Sequence, residues 1–401
     1  MRRGGYLAEV AGMLWPAPVR VHAGRGRGSR RARPFAEYVV LPHLADPRLV
    51  LPLRHPRAAA TLARGYAEAT SRAGRARGHA LALAAASGAA PVLFRDRLRI
   101  ETETARPDTI ETVLGELAGR SVTVGMHVSR PRANRKPVVH ALTPDGELVT
   151  VAKVATNELT HELLDAEETA IRLVSGRPRR TFTVPTVVGS CPWREVDVLA
   201  LSPLPVDAPR VPFDVRRLAT VAVEIAATAG LESARLPRSA YLTGLRKRIA
   251  ELPDATADRL RPVLELVLDR HGDRPLVFGA WHGDFAKTNL AMLRDTVLVW
   301  DWERHESGVP LGFDMVHYHA QQRMLAPGED VGAFVATLPD RVAPSLAAVG
   351  LDGHEARTVT RLYLVEIVTR YVHDRQDEIG TLGSVLPRLL TALESDATLR
   401  E

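Results

Sequence analysis

The sequence predicts an α+β chain in two lobes, and three observations carry that prediction. Residues 122–155 hold three β-branched runs, VTVGMHVS, PVVHALTP and LVTVAKVA, separated by turn signals such as Pro144-Asp145-Gly146. A single helical run, TNELTHELLDAEETAIRLV, follows the third of them. Beyond Pro205 the pattern changes to long apolar helical runs. Antiparallel strands with one inserted helix make a small β-rich lobe, and the remainder makes a helical one. A length of 401 residues suits two or three structural units, and 45% hydrophobic with 25% charged residues is ordinary for a globular chain.

Taken in order, residues 1–108 open with a Gly/Arg stretch, Gly24 to Pro34, that reads as an exposed loop. A strand over Glu37 to Pro42 follows, then an alanine-rich helical run from Arg57 to Ala86 with no clean amphipathic stripe. No chemistry attaches to this region, which reads as an α/β accessory or cap. Residues 109–205 form the β-rich lobe: a short helix over Thr109 to Gly119, the three strands, and a helix from about Leu159 to Val174 capped by Thr156 or Asn157. A strand pair then surrounds VVG and VDVLALSPLP. Residues 206–401 form the helical lobe, in which only NLAML and TVLVWDW have β character, as a hairpin.

Several classes are disfavoured. The single cysteine, Cys191, rules out an internal disulfide framework and a cysteine zinc cluster. No apolar run reaches the roughly 18–20 residues that span a bilayer. Glu9 interrupts the apolar stretch after Arg2 and Arg3, against a secretory signal, so a cytoplasmic location is expected. Residues 1–136 carry 24 Lys and Arg against 10 Asp and Glu, and the remainder 29 against 37. The basic third is mostly arginine scattered through Ala/Gly-rich sequence, so nucleic acid is not expected as a partner. The acidic remainder suits a cationic or polyhydroxylated small molecule.

Chemistry concentrates in Ala280 to Glu303, AWHGDFAKTNLAMLRDTVLVWDWE. Asp284 follows His282-Gly283, Asn289 comes five residues later, and Asp301 closes an apolar run. Three oxygen-bearing side chains at loop and strand ends are what is needed to orient a hydroxyl nucleophile and hold Mg²⁺ on a nucleotide. Asp301 lies between Val299-Trp300 and Trp302, where burying a carboxylate without a cation is costly. His317 and His319 are two apart and point in different directions on a helix, against a metal pair.

HGDFAKTN followed by VWDWE, with Lys153 in an upstream β-run, resembles the aminoglycoside phosphotransferase and choline-kinase-like families, which share the protein-kinase-like fold. The resemblance covers about residues 110–401. It implies a bilobal fold and an ATP-dependent phosphotransferase that moves the γ-phosphoryl to a hydroxyl of a sugar, aminoglycoside or amino-alcohol. Asp284 becomes the catalytic aspartate, Asn289 and Asp301 the Mg²⁺ ligands, and Lys153 the contact to the α- and β-phosphates. Glu167 is the preferred partner of Lys153, ahead of Glu168 and Glu162, and the segment at Leu201 and Ser202 receives adenine. His282 is implied to brace the loop, and Asp314 to stabilise the helical lobe. Glu303 is either an edge of the metal site or a solvated acid.

One departure stands out: the phosphate-covering loop reads GMHVSRPRANRKP, without G-x-G-x-x-G. Its Arg130, Arg132, Arg135 and Lys136 either engage phosphate or form a solvated basic turn. The alternative to an enzyme is a catalytically silent nucleotide-binding scaffold that uses residues 1–108 to bind partners. A protein kinase fits less well, because no Ala-Pro-Glu landmark follows Asp301.

Overall fold

A computed structural model describes residues 3–25, 35–66, 72–128, 136–324, 326, 328–375 and 381–395. The chain divides into two compact units. The first comprises Met1–Asp165 and Pro185–Ala208, the second Ala166–Val184 and Pro209–Glu401. This is the two-unit α+β arrangement that the protein-kinase-like resemblance implies.

The first unit is built on one antiparallel sheet. Its strands are β1 (Arg20–Arg25), β2 (Ala36–Leu41), β3 (Leu49–Pro52), β4 (Asp96–Glu101), β5 (Thr123–His127), β6 (Val138–Leu142), β7 (Leu148–Ala155), β8 (Val187–Trp193) and β9 (Val196–Leu201). They lie in the order β1-β4-β2-β3-β5-β6-β7-β9-β8. Side chains alternate between the faces, and both faces are covered. Val40, Val50, Val124, Val139, Ala152 and Val198 meet Leu7, Leu14 and Trp15 from the N-terminal segment and Ile110 and Leu114 from the helix Ile110–Ala118. Val39, Leu41, Leu49 and Leu51 face the other way, onto Ala58, Ala59, Leu62 and Ala63 of the helix Pro56–Tyr66.

The expectation that the alanine-rich run has no stripe is corrected here: the helix Pro56–Tyr66 buries one face of Ala58, Ala59, Leu62 and Ala63 and leaves Arg57 and Arg64 exposed, and its small side chains let it lie close to the sheet. At Gly125 a Cβ would come 2.3 Å from Leu62 Cδ1 and 2.8 Å from Val50 O, so β5 approaches through a glycine. Strands from residues 20–101 and from 123–201 share this sheet, with β3 pairing β5. Buried Glu111 ties the two segments further by accepting from Trp15 Nε1, at 2.9 and 3.0 Å, and from the Tyr38 hydroxyl. The expected loop at 24–34 lies outside the described residues from 26 onward, and Gly24-Arg25 end β1.

The second unit is mainly helical. Helix Gly353–His373 has buried side chains on every face, the pattern of a helix inside a core, so its sequence shows no amphipathic stripe. Asp352 and Glu355 form a capping box at its start. Sequence reading placed β character here only in the hairpin, and the structure corrects this with three more strands: Glu232–Arg235, Pro275–Trp281 and Glu306–Pro310. PLVFGAW is a short apolar run whose periodicity cannot separate helix from strand. Its two partners are polar and become strands by pairing with it. The expected hairpin is present as Leu290–Met292 paired with Val297–Val299, and Phe182–Thr183 adds a parallel third strand. Among the described residues, no helix is long and apolar enough to cross a membrane.

Candidate functional site

All the geometry around His282–Asp301 belongs to the second unit. The strand Pro275–Trp281 delivers the chain into His282-Gly283-Asp284, and Gly283 turns it with φ +81°. A Cβ at Gly283 would lie 2.0 Å from Arg304 O and 2.7 Å from Arg304 C, so only glycine fits. His282 is fully buried, donates from Nε2 to Trp300 O at 3.0 Å, and accepts at Nδ1 from the Asp284 N–H at 3.2 Å. Burial lowers its pKa to about 4, which keeps the ring neutral as this pattern requires. His282 braces the loop and is committed to backbone on both nitrogens.

Asp314, in the first turn of the helix Phe313–Met324, accepts from the His282 N–H at 2.8 Å and the Gly283 N–H at 3.2 Å. Its complete burial pushes the carboxyl up to about 7, against the pull of those donors and of Arg370. An unfolded aspartate titrates near 4. Asp314 therefore binds its proton more tightly when folded, so its contribution to stability is full below about pH 4 and is lost as pH rises through about 7. Asp314→Asn loses one acceptor for the paired N–H groups but has no such titration. Its deficit in denaturant stability relative to the wild type is expected to shrink from pH 5 to pH 8. A constant difference across that range would exclude the raised pKa.

Asp284 is held from two sides. His317 Nε2 lies 2.9 Å from its Oδ1, and Asn289 Nδ2 lies 2.7 Å from its Oδ2 and 3.0 Å from its carbonyl. Burial opposes ionisation, yet the hydrogen bond from His317 and the charge of Arg370 outweigh it, and the carboxyl sits well below the usual range. The side chain remains 31% exposed, so an incoming group can reach it. With Asn289 Nδ2 committed to Asp284, the amide presents Oδ1 as its ligand atom. The Trp300 N–H donates to Asn289 O at 3.2 Å, which puts Asn289 and Asp301 at the same open end of the hairpin. Asp301 has φ +71°, a left-handed conformation uncommon outside glycine and tolerated by Asp.

Glu167, Asp301 and Glu303 present carboxylate oxygens within 4.8 Å of one another. Glu167 is fully buried on the helix Glu158–Ser175. Of the other two candidate partners of Lys153 on that helix, Glu168 pairs with Arg172 at 2.6 Å and Glu162 is exposed. Three carboxylates this close repel one another, and the oxygen donor set suits a hard divalent cation.

The remaining sequence-predicted residues are in the first unit. Lys153 is half-buried on β7, opposite Val138 of β6 and Leu199 of β9, and Leu201 lies opposite Val151. The Ser202 N–H donates to Thr186 O at 2.8 Å, and the Ser202 hydroxyl accepts from the Thr186 N–H at 2.8 Å. Arg130, Arg132 and Arg135 lie outside the described residues, and Lys136 is buried.

Three residues hold the loop in ways the sequence did not indicate: His317, weighed there only as a metal ligand, and Tyr363 and Arg370. His317 stands three residues after Asp314, so both occupy one helix face, and this spacing was a usable signal. Tyr363 and Arg370 come from a helix some eighty residues away in sequence, and nothing local marks them. Arg370 donates from Nη1 to Gly283 O at 2.5 Å and lies over the Trp281 ring at 5.4 Å.

Comparison with solved structures places the chain beside small-molecule phosphotransferases. A thermostable mutant of aminoglycoside phosphotransferase APH(4)-Ia, in ternary complex with ADP and hygromycin B, shares 12% identity over 72% of this chain and 99% of its own, at a TM-score of 0.44. Macrolide 2′-phosphotransferase MphH from Brachybacterium faecium shares 18% identity over 69% and 96%, at 0.44. Spectinomycin phosphotransferase APH(9)-Ia, with ADP and spectinomycin, shares 10% over 72% and 97%, at 0.41. No family model matches the chain, and no curated protein does.

Proposed function

We propose that the protein is an ATP-dependent phosphotransferase that moves the γ-phosphoryl of ATP to a hydroxyl of a small molecule, with a sugar, aminoglycoside or amino-alcohol as the acceptor class. The observation that carries this reading is Asp284: ionised, partly exposed and fixed on both oxygens, one of them by the amide of Asn289 five residues on. Asp284 orients the acceptor hydroxyl and accepts its proton as the O–P bond forms. Its low basicity suits a loose transition state, in which the proton leaves late and positioning counts for more than abstraction.

Mg²⁺ is assigned to Asn289 and Asp301, with Glu303 and Glu167 beside them, and when bound it neutralises charge on the nucleotide phosphates. In the first unit, Lys153 is assigned to the α- and β-phosphates. The Ser202 N–H is already donated to Thr186, so the base is met at this segment by Leu201 and by backbone carbonyls. Glu167, placed with the acids of the second unit, is assigned a share in the metal site. Residues 1–108 extend the sheet of the nucleotide-binding lobe and are assigned a supporting role there.

The test is product formation. Protein with ATP and Mg²⁺ is incubated with a panel of sugars, aminoglycosides and amino-alcohols and followed by phosphorus NMR. A new phosphomonoester signal together with ADP is expected for one class. ATP that remains intact with every acceptor, including water, would point instead to a silent nucleotide-binding protein.

A further inference from the structure

We infer that His317 and Tyr363 form a two-residue relay that positions Asp284, with His317 donating through Nε2 as a neutral imidazole and Tyr363 fixing that tautomer. The contacts are direct: Tyr363 OH lies 2.9 Å from His317 Nδ1, and His317 Nε2 lies 2.9 Å from Asp284 Oδ1. Both side chains are fully buried, so neither trades its partner for water. Asp284 takes the Asn289 amide at Oδ2 and presents Oδ1 to His317, so the hydrogen bond between them is donated from Nε2. A neutral ring then has Nδ1 as an acceptor, and the Tyr363 hydroxyl is the group placed to donate to it.

The groups facing His317 are Asp284 from the catalytic loop, and Tyr363 and Arg370 from the helix Gly353–His373. Burial and the Arg370 charge both oppose a second proton on the ring, while Asp284 favours one, and the balance lies below the usual histidine value. The spacing on the donor helix is what makes this possible. Tyr363 and Arg370 are seven residues apart, on one face, and Arg370 takes the Gly283 carbonyl while Tyr363 takes His317. One helix therefore fixes both the backbone before Asp284 and the outer oxygen of its carboxylate. Asp284 has its second oxygen on Asn289, so the plane of the carboxylate is set at both ends.

With Asp284 taken as the group that orients the acceptor, as proposed above, the relay sets the rate rather than nucleotide binding. His317→Leu is expected to lower kcat by about 10- to 100-fold with the KM for ATP changed less than about twofold. His317→Gln keeps a donor and is expected to recover most of that loss. Tyr363→Phe removes only the hydroxyl and is expected to cost about fivefold in kcat. Equal losses in His317→Gln and His317→Leu, or losses that fall on KM, would overturn the relay.

A measurement independent of turnover accompanies these. Long-range nitrogen–proton spectra of histidine-labelled protein are expected to show His317 as the neutral Nε2–H tautomer from pH 6 to 8. An Nδ1–H tautomer or an imidazolium in that range overturns the assignment. If Asp284→Ala leaves turnover intact, the catalytic role of Asp284 falls, and if no acceptor is phosphorylated at all the phosphotransfer reading falls; in either case these spectra still decide the relay.

Discussion

Asp284→Ala is expected to lower phosphoryl transfer by roughly 10³-fold or more, about 4 kcal/mol in the transition state, while nucleotide affinity stays within a few-fold. The reason is geometric. Asp284 is the carboxylate that an acceptor hydroxyl can reach, and its neighbours are spent on holding it: His317 on Oδ1 and Asn289 on Oδ2. None of them replaces its acceptor oxygen at the reacting hydroxyl. Asp284→Asn separates chemistry from packing, because it keeps the shape and removes the charge. It should lose nearly as much activity as the alanine variant, with a loss of stability because an amide keeps only one of the two acceptor oxygens that His317 and Asn289 use. The measurements are kcat with the best acceptor of the panel and the Kd for ATP by calorimetry. A variant that loses nucleotide binding in proportion to turnover would place Asp284 in the nucleotide site instead.

Gly283→Ala is expected to destabilise the second unit by about 4 kcal/mol. Two terms add. The residue sits at φ +81°, where a Cβ costs about 1–2 kcal/mol. The new methyl would also lie 2.0 Å from Arg304 O, which is backbone and cannot swing aside, and overpacking of this kind costs about 1–3 kcal/mol more. Native domains have about 5–15 kcal/mol in all, so a marginal fold would be lost at 37 °C. Any protein that survives should be nearly inactive, because the Gly283 N–H bonded to Asp314 and the Gly283 carbonyl bonded to Arg370 flank Asp284 directly. Denaturant unfolding of the purified variant checks the first claim. A midpoint within experimental error of the wild type would show that the loop can relax around the methyl group.

His282-Gly283-Asp284, Asn289 and Asp301 were legible in the sequence because the hairpin brings them together over twenty residues, and short-range spacing suffices for that. The three strands of residues 122–155 and the helix after them were legible from turn chemistry and period. The strand Pro275–Trp281 was not, since a seven-residue apolar run has no period to read, and its polar partners take their state from it. The preference for Glu167 over Glu168 and Glu162 as the partner of Lys153 came from the family resemblance. Burial separates the three, with Glu167 enclosed beside Asp301, Glu168 on Arg172 at the surface, and Glu162 exposed.

The first 108 residues show the limit most clearly. Their strands had no chemistry to announce them, and they join the sheet of residues 123–201 through pairing of β3 with β5, a long-range choice made by backbone hydrogen bonds. The chemical inventory and its local order are written along the chain: an acid suited to meet a hydroxyl, an amide and acids that suit a cation, and a lysine on a strand. What holds that inventory in place comes from packing between distant segments. Asp314, His317, Tyr363 and Arg370 act on a loop thirty to nearly ninety residues away from them in sequence. Their contacts arise from helix packing in a buried core, where specificity comes from shape and paired polar groups rather than from any period along the chain.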